Sequence, residues 1–527
     1  MAAAAALVGA PLAVVGPARA ALADPAADQD ALVDADVAPA IAQADHQSAQ
    51  LVFAHRDAGG AVTISTATVD SAAEGHAVLA VAGASGTLEA VSVDSPVTLV
   101  PDAPIEPDPG PGGPGGDVSA DAVSNDFYRS LQWALDTIPF EDAWPTADGS
   151  GVTVAVLDTG VDTGHPDLVA NLSPLRRHFL HDGNTAVTGT DVEDGHGHGT
   201  HVAGTIAAAA GNLTHVTGAA PGATVLPVKV LSDSGSGWMS DVAAGIVWAA
   251  DNGADVINLS LGSSSSDGVL HSAVEHAYTN GVVLFAAAGN GGCTVGDAGC
   301  ATNWPAAEDH VVAVGSVGAY VGVAFDPDAC STFTTRAAYV DLGAPGFGIY
   351  STYPLNRAAS GVATSSGTSM ATPHAAAAAA IVLSHDPSLT PAEVIAALTG
   401  TARDAVTPGP DTCTGSGVID PLAAIGAAPP TTAPTTAPPT TAPPPPAAPS
   451  LTGALPGRAM VRLTFRVSGT VDEIRVFRNG DLIAALPPRS RNFVDRAVPV
   501  GTHTYTVRAL RDDQQSPDSR ALTAAAR

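Results

Sequence analysis

Gly367-Thr368-Ser369-Met370-Ala371-Thr372-Pro373-His374 places a serine just before a run of small and apolar residues that continues to Leu383. That run reads as a buried helix, and a serine on its first turn faces unpaired backbone N–H groups and the positive end of the helix dipole. Such groups can stabilise an oxyanion if the serine attacks a carbonyl, although a serine there reads first as a simple N-cap. A hydroxyl becomes a useful nucleophile only when a histidine takes its proton and an acid fixes that histidine's tautomer. Asp158 ends the apolar run Val152-Thr153-Val154-Ala155-Val156-Leu157, a pattern for a buried parallel strand that delivers a carboxylate to the sheet's carboxyl edge. Alone, it would read as a cap or turn former. Asp194-Gly195-His196-Gly197-His198-Gly199-Thr200-His201 is a glycine-rich approach to a helix of small residues, and Ala286-Ala287-Ala288-Gly289-Asn290-Gly291 follows a strand-like run with an Asn-Gly turn signal.

In the order Asp, His, Ser, these segments resemble those of the subtilisin-like serine peptidases over about residues 125–427. Chymotrypsin-like and α/β-hydrolase triads run in other orders. The resemblance implies Asp158 as orienting acid, His198 as general base, Ser369 as nucleophile, and Asn290 as an oxyanion donor beside the Ser369 backbone N–H. His201, three residues into the helix, takes the structural position, and His196 lies in the flexible glycine run. A zinc site is disfavoured, since a helix starting among the three rings keeps them from converging.

The same resemblance makes Ser260-Leu261-Gly262 and Gly235-Ser236-Gly237 the segments that pair with an extended peptide as added strands. Their plain reading, strand-to-loop turns, is compatible. Small residues at Ala287, Ala288 and Gly289 leave room for a large apolar side chain, and Gly291 brings no charge that would favour a basic one. Trp238 and Met239 either line an outer subsite or belong to the core of the following helix. The chemistry calls for no cofactor. By resemblance, Asp126 and Asp167 stand on calcium-ligand positions with the loop near Asn212 beside them, and oxygen ligands suit that ion.

The 527 residues suggest two or three domains. The expected architecture is α/β: a subtilisin-like catalytic domain with a mostly parallel sheet flanked by helices, a small N-terminal prosegment and a C-terminal all-β sandwich. Residues 1–20 read as an export signal, a short apolar run before Ala18-Arg19-Ala20 that lacks a basic leading segment. Residues 21–116 are acidic and Ala/Val-rich, with strands expected at 51–53 and 91–99, and end in a Gly/Pro linker at 109–116. They resemble a subtilase prosegment that blocks the groove until cleaved, with an unrelated small β domain as the alternative. The catalytic domain is expected over 121–428. Residues 429–449, almost only Pro, Thr and Ala, would extend about 65 Å as polyproline II. Residues 450–527 alternate apolar with polar and carry Asn479-Gly480 between two apolar runs, a hairpin signal. They resemble a fibronectin type III or related sandwich, with Tyr505 as a candidate tyrosine corner.

Net charge is −31. Residues 450–527 hold 12 arginines against 7 acids, so this module is basic and everything before it strongly acidic. An acidic catalytic half argues against nucleic-acid binding and fits a soluble extracellular protein. The basic module could tether the enzyme to an anionic surface such as a cell-wall polymer, or be a solvated spacer. Of the four cysteines, Cys293 and Cys300 span a short glycine-containing loop and suit a disulfide in an oxidising compartment. Cys330 and Cys413 are left to pair across the domain, though spacing alone does not determine connectivity. No stretch outside the buried Ala-rich helix is long and apolar enough to span a membrane. The expected protein is a monomeric, secreted, self-processed serine endopeptidase acting on proteins or peptides, with its own prosegment as partner. A non-catalytic adhesion scaffold and an intracellular processing enzyme are the competing readings.

Overall fold

A computed structural model describes most of residues 49–100, residues 102 and 106–107, residues 124–426 apart from four positions, and most of 450–526. The expected export signal, Gly/Pro linker and Pro/Thr spacer lie outside the described residues.

Apolar runs without alternation form the centre of the molecule, because a parallel strand is covered on both faces. Thr153–Asp158, Val256–Leu259, Val283–Ala287 and Val311–Val321 lie side by side and parallel, with Thr224–Lys229 on the other flank of Thr153–Asp158. Val340–Pro345 adds in parallel, and the antiparallel strands Ala324–Cys330 and Thr185–Gly189 close the two ends of this nine-stranded sheet. This is the expected subtilisin-like α/β fold.

Thr368–His385 packs on one face of the sheet beside His198–Ala207. Every residue of the long helix from Thr368 to Leu383 is buried, which is why its sequence shows small residues all round and no polar stripe. Pro373 removes the N–H that would reach the Ser369 carbonyl, and the Ser260 hydroxyl donates to that carbonyl instead, at 2.8 Å. Met239–Asp251 and Gly268–Thr279 cover the opposite face.

Over those two helices lies a three-stranded antiparallel sheet of Ala49–Arg56, Val62–Val69 and Thr87–Val93, which buries Val52, Ala54, Val62 and Ala90 against them. The single strand expected at 91–99 is divided. Asp94 turns away to accept from the Ser240 N–H (3.0 Å) and hydroxyl (2.6 Å) on the first turn of Met239–Asp251, a capping role that ends one strand. A new strand begins at Pro96.

The C-terminal region forms two small sheets, one of three and one of five strands, around Val461, Leu463, Phe465, Ile474, Val476 and Tyr505. Asn479 and Gly480 both take positive φ, 52° and 91°, as a two-residue hairpin turn requires. The buried Tyr505 hydroxyl donates to the Asp495 side chain at 2.8 Å, whereas a tyrosine corner bonds to backbone. The structure pairs Cys293 with Cys300 and Cys330 with Cys413.

Candidate active site

Asp158 ends its strand fully buried and accepts from the His198 ring through Nδ1 at 2.8 Å and from the Thr159 N–H at 2.7 Å. Gly199 lets the helix start come this close, since a Cβ there would collide with the Gly160 carbonyl. Asp194 holds the glycine run in shape. Its carboxylate accepts from the N–H groups of His196, Gly197 and Thr200 and from the hydroxyls of Thr159 and Thr200. This remote cap replaces a side chain at Gly197, the residue before the helix. Sequence reasoning missed Asp194; its signal was an acid four residues ahead of a helix whose own cap position is glycine.

Ser369 lies on the first turn of Thr368–His385, and its hydroxyl is buried without a well-formed hydrogen bond. Asn290 reaches the same place. Its Oδ1 accepts from the Thr368 N–H at 2.8 Å and hydroxyl at 2.9 Å, which aims Nδ2 into the site. Thr368 is a second residue that sequence reasoning passed over, because nothing marks a tertiary hydrogen bond in a Thr-Ser pair.

The other histidines part from His198. His201 is buried against the Ile349 carbonyl at 3.0 Å, and burial pushes it down to about 3. His196 is half-buried with its ring 6.3 Å from that of His198, and burial lowers it too. His198 moves the other way: burial opposes its charge, but Asp158 and Asp102 outweigh that and push it up to about 10.

Asp102 is the unforeseen member. Its carboxylate lies 2.9 Å from His198 Nε2 and accepts from Asn290 Nδ2 at 2.6 Å, beside Ser369. Upstream of it, Pro96–Leu99 forms the middle strand of a three-stranded sheet, antiparallel to Ser236–Trp238 on one side and Leu261–Gly262 on the other. Leu99 N–H also donates to the Gly235 carbonyl at 2.9 Å. Downstream, Glu106–Pro107 pairs with Val362–Ser365, the strand leading to Ser369. Both segments expected to take an extended peptide therefore hold one, supplied by this chain.

Buried Val100 borders a cavity of about 250 Å³ walled by Gly289, Gly291, Cys293, Asn303 and Thr335, with no charged side chain among its lining residues. Of the three small residues expected to line it, only Gly289 does. Ala287 and Ala288 are fully buried, with their carbonyls held by Asn303 and Tyr339. Met239 is core, whereas half-buried Trp238 pairs with Pro96.

Asp126 and Asp167 meet the loop carrying Asn212, but through donors. Asp126 accepts from the N–H groups of Gly211, Asn212 and Leu213 and from two hydroxyls. Asp167 accepts from Asn212 Nδ2, the Thr214 hydroxyl and the Val216 N–H. Protons rather than lone pairs face both carboxylates, an arrangement that does not fit a cation. Among the described residues there is no cluster of three metal-ligating side chains.

A family model described as the subtilase family matches residues 149–417, about half of the chain. The chain belongs to the subtilase family. It is 42 % identical over 258 residues to thermitase of Thermoactinomyces vulgaris, an alignment covering 49 % of this chain and 84 % of that protein. Over 298 residues it is 42 % identical to subtilisin Savinase of Lederbergia lenta, covering 56 % of this chain and 99 % of that one. A solved protease structure from Pseudoalteromonas arctica superposes with a TM-score of 0.51 at 33 % identity, covering 58 % of this chain and 99 % of the other. The protein is thus a serine-type endopeptidase of the S8 kind. Among the described residues, no helix is long and apolar enough to cross a membrane.

Proposed function

We propose that this subtilase hydrolyses peptide bonds through an acyl-enzyme on Ser369, with His198 as base and Asp158 as its orienting acid. The observation that carries the reading is that the buried Asp158–His198 pair, the aimed Asn290 amide and Ser369 all border one carboxylate, that of Asp102, at the end of a docked extended strand. In the reaction His198 Nε2 takes the Ser369 proton as Oγ attacks the scissile carbonyl carbon. Asn290 Nδ2 and the Ser369 backbone N–H hold the developing oxyanion. His198 then protonates the leaving amine, and water repeats the cycle to release the acid. Nε2 can do this only when neutral and free of Asp102.

The substrate lies as an added strand between 235–237 and 260–262, so main-chain bonds give affinity with little sequence demand. An uncharged cavity of this size suits a large apolar side chain at the residue before the scissile bond. Cleavage profiling of a peptide library, with Ser369→Ala as control, tests both claims; cuts after basic residues would refute the preference, and equal cutting by the control would refute the role of Ser369.

The N-terminal region, residues 21–116, is read as a prosegment whose removal falls between 109 and 125, and the chain as secreted through the 1–20 signal. N-terminal sequencing of the exported wild type and Ser369→Ala tests self-processing: the same trimming in both would contradict it. The 450–527 module is read as a tether for an anionic surface such as a cell wall. Retention on cell-wall preparations should fall as salt rises and vanish in a chain ending at Ala428. Calcium at Asp126, Asp167 and Asn212 would require the loop to turn carbonyls inward, and no step of the chemistry depends on it.

A further inference from the structure

The prosegment reading explains why a strand lies in the groove. It does not explain why an acid follows it. Thr98 pairs with Ser236 and Gly262, Leu99 pairs with Leu261, and Val100 meets the uncharged cavity. A substrate continuing in this register would bring a main-chain carbonyl to Asn290. Instead the Asp102 carboxylate is there, with one oxygen on Asn290 Nδ2 and the other on His198 Nε2. Gly367 gives it room, since a Cβ at that position would collide with Asp102 Oδ1. Only 8 % of the Asp102 side-chain surface is exposed.

We propose that Asp102 is a side-chain stopper, a carboxylate that fills the oxyanion site and ties up the catalytic base so that the unprocessed chain binds its own segment without cutting it at this crossing. The proposal rests on the catalytic reading above and deepens it, because it names the atoms that slow the precursor until it is processed.

Three features make a carboxylate the fitting group. It accepts from two donors at once; burial pushes its carboxyl up, the His198 and Asn290 bonds act against that, and a bond between ionised partners is stronger than a neutral one. It carries the same charge as the oxyanion for which the site is built. It also holds a proton on His198, which cannot then take one from Ser369. An amide of the same shape could still accept from Asn290 but would turn N–H groups toward a protonated His198. Asp102→Asn therefore separates charge from shape.

The test is the labelling rate of Ser369 by a fluorophosphonate, read at the mass of the full chain before processing. Asp102→Asn and Asp102→Ala full chains should label roughly ten- to a hundredfold faster than wild type, the loss expected for hydrogen bonds to a charged group. Wild type should reach the faster rate only once its band has moved to the processed mass. Equal rates in all three full chains would overturn the stopper and leave the catalytic reading intact. If no form labels, processed wild type included, the catalytic reading and the stopper fall together. Should a variant misfold, a synthetic peptide of residues 94–107 decides the matter. It should slow labelling of processed wild type at roughly tenfold lower concentration than its Asp102→Asn form, and equal potency would overturn the proposal.

Discussion

With Asp102 in place, the pH at which Ser369 becomes reactive should be displaced far into alkali. His198 is pushed up to about 10 in this state, against an ordinary value of 6.5. Burial acts downward, and the Asp158 charge and the Asp102 hydrogen bond overcome it. His196 and His201 also couple to the ring, and as like charges both favour its neutral form and are themselves lowered. The sign follows from the raised value: the proton, and the His198–Asp102 contact with it, persists below the ordinary value and is lost as pH rises through about 10. At neutral pH only a small minority of His198 would be neutral, and each pH unit upward should raise that fraction about tenfold. The perturbation is pH alone, applied to the full-length chain, and the assay is fluorophosphonate labelling at the unprocessed mass from pH 6 to 10. Labelling should rise about one decade per unit with no plateau before mild alkali, and in an Asp102→Asn chain the rise should move toward neutral pH. A flat wild-type profile from pH 7 to 9 would refute the claim that this carboxylate holds the base protonated.

Other outcomes follow from single contacts. Asn290→Ala should lower kcat by about two to three orders of magnitude with little change in KM, a size known from a subtilisin rather than from this chain; steady-state kinetics on a peptide substrate checks it. Asp194→Ala should destabilise by about 3 kcal/mol or more, because backbone N–H groups at the helix entry lose their acceptor while buried; denaturant unfolding in the Ser369→Ala background avoids self-digestion. Excess chelator should leave the thermal midpoint unchanged, since the Asn212 loop is held by N–H donors to Asp126 and Asp167. A clear drop in the midpoint would contradict this.

What the sequence could show followed from strong local patterns. The unbroken run before Asp158 announced a parallel strand, the glycine run before His198 a helix entry, and the small residues after Ser369 a buried helix. What it hid depends on partners distant in the chain. Asp102 is one acid in a proline-rich stretch, and its role appears only when Pro96–Leu99 docks between 236–238 and 261–262. Asp194 and Thr368 act through hydrogen bonds that no periodicity encodes. The strand at 91–99 read as continuous because Val91, Val93, Val97 and Leu99 share one phase across Ser95; the break comes from Asp94 capping a helix about 145 residues away in the chain. Ala287 and Ala288 looked like pocket floor from their size, yet small residues serve equally where a strand packs under a helix. The calcium expectation came from resemblance at two positions, and that resemblance carried no information about which way the loop's N–H groups point.

The most direct test of the central claim is mapping the covalent adduct of a fluorophosphonate on the processed protein, with peptide turnover measured on the same sample. Modification should fall at Ser369 alone, with activity falling in step with the fraction modified, and a Ser369→Ala protein should neither label nor turn over peptide. Full turnover by Ser369→Ala, or a wild-type protein modified at Ser369 that still hydrolyses peptide at its original rate, would contradict it.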